Sequence, residues 1–520
     1  MGKVFSLTFS LIQLIALVLF IIISYELVRW AVVSFFKRRF MRSVTAFLRK
    51  HQVRFDQYKL TNKLIIKDQL LHNREVNQQI LEKAQKEDIP FEEAREQAEE
   101  YIDEIVPTFN LLSYYKFGYT IANLLLKFLY EVVIDEQGKK QVKDIPEDAL
   151  VVYVMNHRSN IDYLLVAYML MENISVSYAV GEWARVFPLD IIFKSFGAYF
   201  IRRNYRDPLY HAVLKNYIQL ISENKVTQGI FLEGSLSRNG QFRAPKTGLL
   251  DYILTTSQGD GSAGSPTKIV FVPVGINYDW ILEDQTLIRE WKEGKHSMTM
   301  RDHLFSFFTI LVKSPYLLLV NALRLLTGRM KEHGYVSVKF GRPVPLEHIA
   351  DRGEFEDAKS YQERRAELKK VGSKLLRRIS DVVPITPVSL LSLTLIEHGN
   401  GSLSKEACLA HMRSLLQQLE ARDADLMMGK EYAALLKLRD RLESERWFRK
   451  KELLEFEEDL LKEDEIEKTL QLAVELLVRR KIIRVSRDEI HLISDKRDYL
   501  EYYANTIRHF LSREVATPVP

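Results

Sequence analysis

The sequence predicts an α/β fold, a β-sheet flanked by helices. An N-terminal membrane anchor and helical region precede it, and a C-terminal, mostly helical, winged-helix-like region follows. Three observations carry this expectation. Short apolar, β-rich runs alternate with helical stretches between about residues 141 and 345. One long uncharged run occupies the N-terminus. Near the C-terminus a helical stretch is followed by two short β runs around a polar turn. The 520 residues exceed one ordinary core, so more than one folded unit is expected.

Composition bounds the class. With 47% hydrophobic and 28% charged residues, 22 Gly and 15 Pro, neither disorder nor a fibrous repeat is indicated. The net charge of +5, from 74 basic and 69 acidic residues, is too small a bias to argue for nucleic acid. Cys408 is the single cysteine, which excludes an internal disulfide and a cysteine-based metal site and fits a reducing compartment. It is expected to be a small buried hydrophobe.

Val4 to Tyr25 are 22 residues without a charge. At about 1.5 Å per residue they reach ~33 Å, enough to cross a hydrocarbon layer of about 30 Å. The run is longer than a signal-peptide core and lacks a small-x-small cleavage site, so residues 1–36 are expected to be a retained anchor. Lys37, Arg38, Arg39, Arg42, Arg49 and Lys50 follow it, a bias that puts the bulk of the chain on the cytoplasmic side, at the inner or cell membrane in a bacterium. Residues 37–140 are a helical, membrane-proximal region. In it Glu82–Glu104 is mostly a solvated mixed-charge face, and Asn110–Val133 is an apolar helix packed on the body, with a place in the membrane interface as the alternative.

Leu150–Met155, Gly229–Leu232, Lys268–Val274 and Val336–Phe340 are the expected strands of a catalytic domain over residues 141–345. Within it Ser257–Thr267 is a Gly/Ser-rich loop. Leu304–Leu326, interrupted by Lys313, Pro315 and Arg324, suits a lipid surface or an acyl chain better than a span. A helical linker covers 346–384. Pro384 and Pro387 mark the start of a C-terminal region, 385–520, with helical patterns over Val388–Leu419 and Asp464–Arg480 and a hairpin from Ile482–Val485 and Glu489–Ile493. Arg479, Arg480 and Lys481 give the second helix a basic end too small for a nucleic-acid footprint, so this unit is expected to serve packing or protein contact.

The chemistry concentrates after the first strong strand, in Val151-Val-Tyr-Val-Met-Asn-His-Arg-Ser-Asn-Ile-Asp162. On one helix, five residues would turn His157 and Asp162 about 140° apart. They meet only if the histidine precedes the helix, in the strand-to-helix turn. A carboxylate there fixes the imidazole tautomer and supports the imidazolium formed when the other nitrogen takes a proton, the arrangement of an oriented general base. Spacing alone does not decide this, because His51 and Asp56 repeat it with no strand before them.

Three further blocks follow in order: Gly197-Ala-Tyr-Phe-Ile-Arg-Arg203; Phe231-Leu-Glu-Gly-Ser-Leu-Ser-Arg238 with Ala244-Pro-Lys-Thr-Gly248; and Val272-Pro-Val-Gly275. Together the four blocks resemble the glycerol-3-phosphate and dihydroxyacetone-phosphate acyltransferases, over about residues 110–345 and more loosely through Thr386–Leu390 and Tyr502–Ile507. The resemblance implies an acyltransferase-type sheet in which His157 deprotonates the acceptor hydroxyl for attack on an acyl-CoA or acyl carrier protein thioester, with Asp162 orienting the base. It also implies that Arg203 and the block around Glu233, Gly234 and Ser235 hold the acceptor, and that the Pro273 block shapes the acyl site.

A phosphate monoester is well matched by guanidinium forks and a lysine, which makes Arg202, Arg203, Arg238 and Lys246 candidates for binding it. Glu233 either organises the arginines or caps a helix. In one departure, Leu236 stands where the family usually has an arginine. Expected partners are membrane lipid, the acyl thioester as cosubstrate and a small phosphorylated acceptor, with no metal, no further cofactor and no nucleic acid. The implied function is O-acylation of glycerol 3-phosphate for phospholipid synthesis. Acylation of lysophosphatidate or another lysolipid, and a catalytically degenerate membrane-tethered interaction protein, stay open as alternatives.

Overall fold

Leu150–Met155 (β2) is hydrogen-bonded to a parallel strand on each side and buried along its whole length, which is why it reads as an unbroken apolar run instead of an alternating one. The other strands are β1 (Glu131–Ile134), β3 (Ser177–Gly181), β4 (Tyr199–Ile201), β5 (Gln228–Phe231), β6 (Ile269–Tyr278), β7 (Tyr335–Phe340) and β8 (Val344–Pro345). Among the described residues β2 lies at the middle of an eight-stranded, mostly parallel sheet of order β1-β7-β6-β2-β5-β3-β4, with β8 also paired to β6. The computed structural model describes residues 63–107, 126, 129–170, 176–181, 193–194, 197–202, 205–256, 268–294, 333–350, 360–399, 402–422, 424, 426–427 and 466–511.

All four strands expected in the catalytic domain are present, and β6 runs four residues further than its apolar pattern indicated, to Tyr278. Pro273 sits where the antiparallel partner of β6 changes from β8 at Phe271 to β7 at Val274, an interruption that tolerates a residue without an N–H. β1 was not expected. It lies in the region read as helical, and its β-branched Val132-Val133-Ile134 pair in parallel with Val336, Ser337 and Val338.

Helices α1 (Lys63–Leu71), α2 (Arg74–Glu87) and α3 (Phe91–Ile105) precede β1, and α3 departs from the solvated face expected over Glu82–Glu104. α3 buries Ala94, Ala98, Tyr101, Ile102 and Ile105 at helical spacing, and this stripe shares one core with Leu209, Val213 and Tyr217 of α6 (Pro208–Glu223). Between them in the chain lie α4 (Glu136–Gln141) and α5 (Asp162–Leu170). α7 (Gly248–Thr256), α8 (Asp284–Glu293) and α9 (Tyr361–Ser380) follow, and α9 opens on a Ser360/Glu363 capping box.

The C-terminal region packs into this body. Every residue from Pro387 to Ile396 of α10 (Pro387–His398) is buried, and α10 lies against α13 (Arg497–Arg508). β9 (Leu403–Ser404), α11 (Lys405–Glu420), helix α12 (466–479) and the hairpin β10 (Ile483–Ser486) and β11 (Glu489–Leu492) complete it, with strand order β10-β11-β9. Cys408 is buried in α11, which pushes its thiol up to about 12. Among the described residues no helix is long and apolar enough to cross a membrane. The expected anchor at 1–36, most of Asn110–Val133 and all of Leu304–Leu326 lie outside the described residues.

Gly275 marks the place where the chain leaving α9 crosses β6: a Cβ there would overlap the Val382 carbonyl. Gly275→Ala is therefore expected to cost about 1–3 kcal/mol through overpacking, seen as a lower urea midpoint with an unchanged slope.

Candidate active site

β2 hands the chain to a turn at its C-terminal end, and the turn is fixed by side chains on all sides. Asn156 extends the β2–β6 ladder with its amide, donating to the Ile276 carbonyl and accepting from the Ile276 N–H, both at 2.8 Å. His157 follows, 2% exposed, its ring stacked on Phe231 at 4.2 Å between centroids and meeting the edge of Tyr163. Its Nδ1 lies 2.8 Å from Oδ2 of Asp162, the first residue of α5. The histidine thus precedes the helix, as the 140° argument requires.

The same Oδ2 accepts from the backbone N–H groups of Arg158 at 2.7 Å and Ser159 at 3.0 Å, while Oδ1 accepts from the Tyr278 hydroxyl at 2.6 Å. With Nδ1 committed to the carboxylate, Nε2 is the ring nitrogen left to meet a substrate. Tyr278 was missed by the sequence reading. It lies three residues past the Val272–Gly275 block, and only the register of β6 beside β2 brings its hydroxyl to Asp162; burial first, and then the Asp162 charge, hold that hydroxyl well above its ordinary range.

Two further carboxylates complete the turn. Glu233 is buried at the end of β5; its Oε1 accepts from His157 N at 3.1 Å and its Oε2 from Arg243 N at 2.9 Å, so it organises backbone rather than arginine side chains. Burial raises its pKa against the opposing charge of Arg158. Glu283, also absent from the sequence reading, accepts from the Ser159 hydroxyl at 3.0 and 3.1 Å and from Asn160 N at 2.6 Å. Arg158 is fully buried, bonded to the Gly240 carbonyl at 2.8 Å and lying over Phe242.

The loop after Glu233 carries the candidate acceptor contacts. Gly234 has φ +66 and packs on the Lys246 stem, where a Cβ would meet Cγ at 2.7 Å. Lys246 is exposed and Ser235 half-buried. Arg238 pairs with Glu290 at 2.7 Å, and Arg243 reaches the Leu236 carbonyl at 3.4 Å. Ser237 N donates to the His157 carbonyl at 3.2 Å, which ties this loop to the turn.

Arg202 is placed elsewhere. It follows β4 at the sheet edge, three strands from β2 or ~14 Å at about 4.8 Å per strand. There its guanidinium is taken by Glu104 at 2.6 Å and packed over Tyr101, Tyr205 and Tyr210. Its guanidinium thus has a carboxylate partner, as that of Arg238 has in Glu290, but at the far edge of the sheet from His157. Arg203 lies outside the described residues. Pro273 is part of the sheet, opposite Val154 of β2. Among the described residues no group of three or more His, Cys, Asp or Glu is arranged to hold a metal ion.

Residues 137–277 match a family model described as Acyltransferase, and residues 319–436 match one described as the glycerol-3-phosphate acyltransferase C-terminal region. Among curated proteins, glycerol-3-phosphate acyltransferases from Ectopseudomonas mendocina (29% identical, covering 65% of this chain and 39% of that protein), Aeromonas hydrophila (27%, 70% and 43%) and Pseudomonas putida (30%, 65% and 39%) are similar. The chain therefore spans about two fifths of the length of these relatives. The 1-acyl-sn-glycerophosphate acyltransferase structure from Thermotoga maritima aligns at 18% identity over 51% of this chain and 77% of that one, with a TM-score of 0.27, too low to bear on the fold.

The buried acids predict a pH dependence of stability. Burial pushes Glu283 from 4.5 up to about 7 and Asp279 from 3.8 up to about 6. A raised folded pKa means that each contribution is full below the ordinary value and is lost as pH rises through the folded one. Because burial lowers His333 and His509 to about 4, which acts in the opposite direction over part of this range, the test is a difference: the urea midpoint of the wild type minus that of Glu283→Gln is expected to fall as pH rises from about 4.5 to 7. A difference that rises over this window sinks the assignment.

Proposed function

We propose that this chain is a member of the glycerol-3-phosphate acyltransferase family and moves a fatty acyl group from acyl-CoA or acyl carrier protein to the hydroxyl of glycerol 3-phosphate in phospholipid synthesis. The observation that carries the reading is the His157–Asp162 contact of 2.8 Å at a strand-to-helix turn, inside the segment matched by the acyltransferase model. His157 Nε2 takes the proton from the acceptor hydroxyl as its oxygen attacks the thioester carbonyl. Collapse of the tetrahedral adduct breaks the C–S bond, and the imidazolium returns its proton to the departing thiolate. Asp162 holds the ring and offsets its transient charge.

A positioned base contributes about 100-fold to 10,000-fold, so His157→Ala is expected to abolish acyl transfer and Asp162→Asn to impair it severely, with folding retained. His51→Ala is the matched control for the five-residue spacing. An acyl-transfer assay on detergent-purified full chain decides: more than about a tenth of the wild-type rate in His157→Ala contradicts the reading.

For the acceptor, Lys246, Ser235, Arg238 and Arg243 line the loop that Glu233 ties to the base, and the Arg243 guanidinium beside the Leu236 carbonyl supplies a cation next to the position where the family has arginine. A lost charge-assisted contact of about 1.5–3 kcal/mol predicts that Arg243→Gln raises the acceptor KM roughly 10-fold to 100-fold and leaves the donor KM within about 2-fold. Leu236 also favours a second reading, a lysolipid acceptor that binds partly through its chain. Offered together, glycerol 3-phosphate is expected to be acylated ahead of dihydroxyacetone phosphate and lysophosphatidate; preference for lysophosphatidate moves the acceptor to that class.

Two finer readings go with this function. The order α10, β9, α11, α12, β10, β11 and the β10-β11-β9 sheet support a winged-helix-like unit in 385–520. The uncharged run Val4–Tyr25 and the basic residues after it support attachment to a membrane with the catalytic residues on the cytoplasmic side.

A further inference from the structure

Asp284, the first residue of α8, is fully buried and accepts hydrogen bonds from two side chains far downstream, Arg480 Nη2 at 2.5 Å and Tyr503 OH at 2.5 Å, 196 and 219 residues away. The Tyr503 oxygen in turn accepts from the Ile281 N–H at 3.1 Å and from Arg480 Nη1 at 3.1 Å. The Arg480 guanidinium lies 4.5 Å above the Trp280 ring. At the other end of the same loop, Asp279 accepts from Tyr335 N and from Val388 N at the start of α10, both at 2.8 Å. The loop 279–284 is therefore clamped by the C-terminal region. The residue it carries between the clamps, Glu283, is the one that holds Ser159 and Asn160 in the His157 turn.

We propose that Arg480 and Tyr503 are positioning residues for the reaction at His157, acting through Asp284 and Glu283 on the Ser159 hydroxyl and the Asn160 N–H. This rests on the reading of His157 as the base. The Arg480–Asp284 pair, with side chains only 5% and 1% exposed, is a costly device for stability alone, since a buried pair is often replaced by apolar residues without loss. What such a pair provides here is direction: a planar guanidinium with fixed donors sets the start of α8, and Glu283 is the residue immediately before it. Displacing a catalytic group by about 1 Å can cost on the order of 100-fold in rate, so a loop that sets the turn by three hydrogen bonds has leverage over turnover without touching substrate.

Arg480→Met alone strands a buried carboxylate and will destabilise the chain, so the decisive variant removes both charges. In the full chain, Asp284→Leu with Arg480→Met is expected to melt near the wild-type temperature while kcat falls at least about 10-fold and both KM values stay within about 2-fold. Tyr503→Phe, which keeps the ring and removes the shared hydroxyl, is expected to lower kcat by about 3-fold to 10-fold in the same pattern. In a Glu283→Ala background the paired change should cost less than about 2-fold more, because the connection is already cut, whereas Glu283→Gln, which keeps one acceptor for Asn160, should outperform Glu283→Ala. A folded paired variant with wild-type kcat, or losses that multiply with Glu283→Ala, overturns the proposal. His157→Ala assayed alongside separates the two ideas: if it is active, the base reading fails whatever these variants do; if it is inactive and the paired variant is fully active, only the positioning role fails.

Discussion

The fold around the site depends on keeping one buried carboxylate satisfied. Asp162 has no exposure, and burying a charged or strongly polar group without partners costs several kcal/mol. Four donors meet it: the His157 ring, the N–H groups of Arg158 and Ser159, and the Tyr278 hydroxyl. Three of these come from the turn itself and require the chain to leave β2 and enter α5 within six residues. The fourth requires β6 to run alongside β2 and continue to Tyr278. The central sheet order and the length of β6 therefore follow from the same need that orients the histidine.

The constraint extends along the turn. Four successive backbone N–H groups, from His157 to Asn160, are each taken by a carboxylate: Glu233, Asp162 twice, and Glu283. Each acid arrives on a different element, the end of β5, the start of α5 and the loop before α8. A turn whose donors face three separate parts of the chain cannot drift without orphaning a buried group. The buried Arg158 cation lies among these acids and lowers the cost of keeping Glu233 in a dry environment.

The sequence made the His157–Asp162 pair and the sheet legible because both leave strong local patterns. β2, β5, β6 and β7 are apolar runs of strand length, and the need for His157 to precede a helix follows from helical geometry alone. β1 and β4 are four and three residues long, too short to show a pattern to read. Tyr278 and Glu283 carry no motif of their own; their roles come from register across the sheet and from a loop end, neither of which one-dimensional spacing records. The surroundings of Arg202 were illegible for the same reason, since nothing local to it announced that Glu104, 98 residues earlier, would take its guanidinium. The stripe in α3 that delivers Glu104 was hidden by the charges on its other face.

A division of labour follows from where the charges lie. The groups proposed for proton transfer are buried, with the His157 ring between Phe231 and Tyr163 and its Nδ1 bonded to Asp162. The cations suited to a phosphate stand instead on the more exposed loop after Glu233. That loop is not independent of the base: Leu232 N donates to the Met155 carbonyl at 3.1 Å, Glu233 accepts from His157 N, and Ser237 N donates to the His157 carbonyl. Three bonds thus set the register of the recognition loop against the strand and turn that carry the histidine. On the proposed reading, with a small acceptor whose reacting hydroxyl is only a few bonds from its phosphate, that shared register would align the oxygen with Nε2, because anchoring the phosphate leaves the hydroxyl little freedom to miss the base.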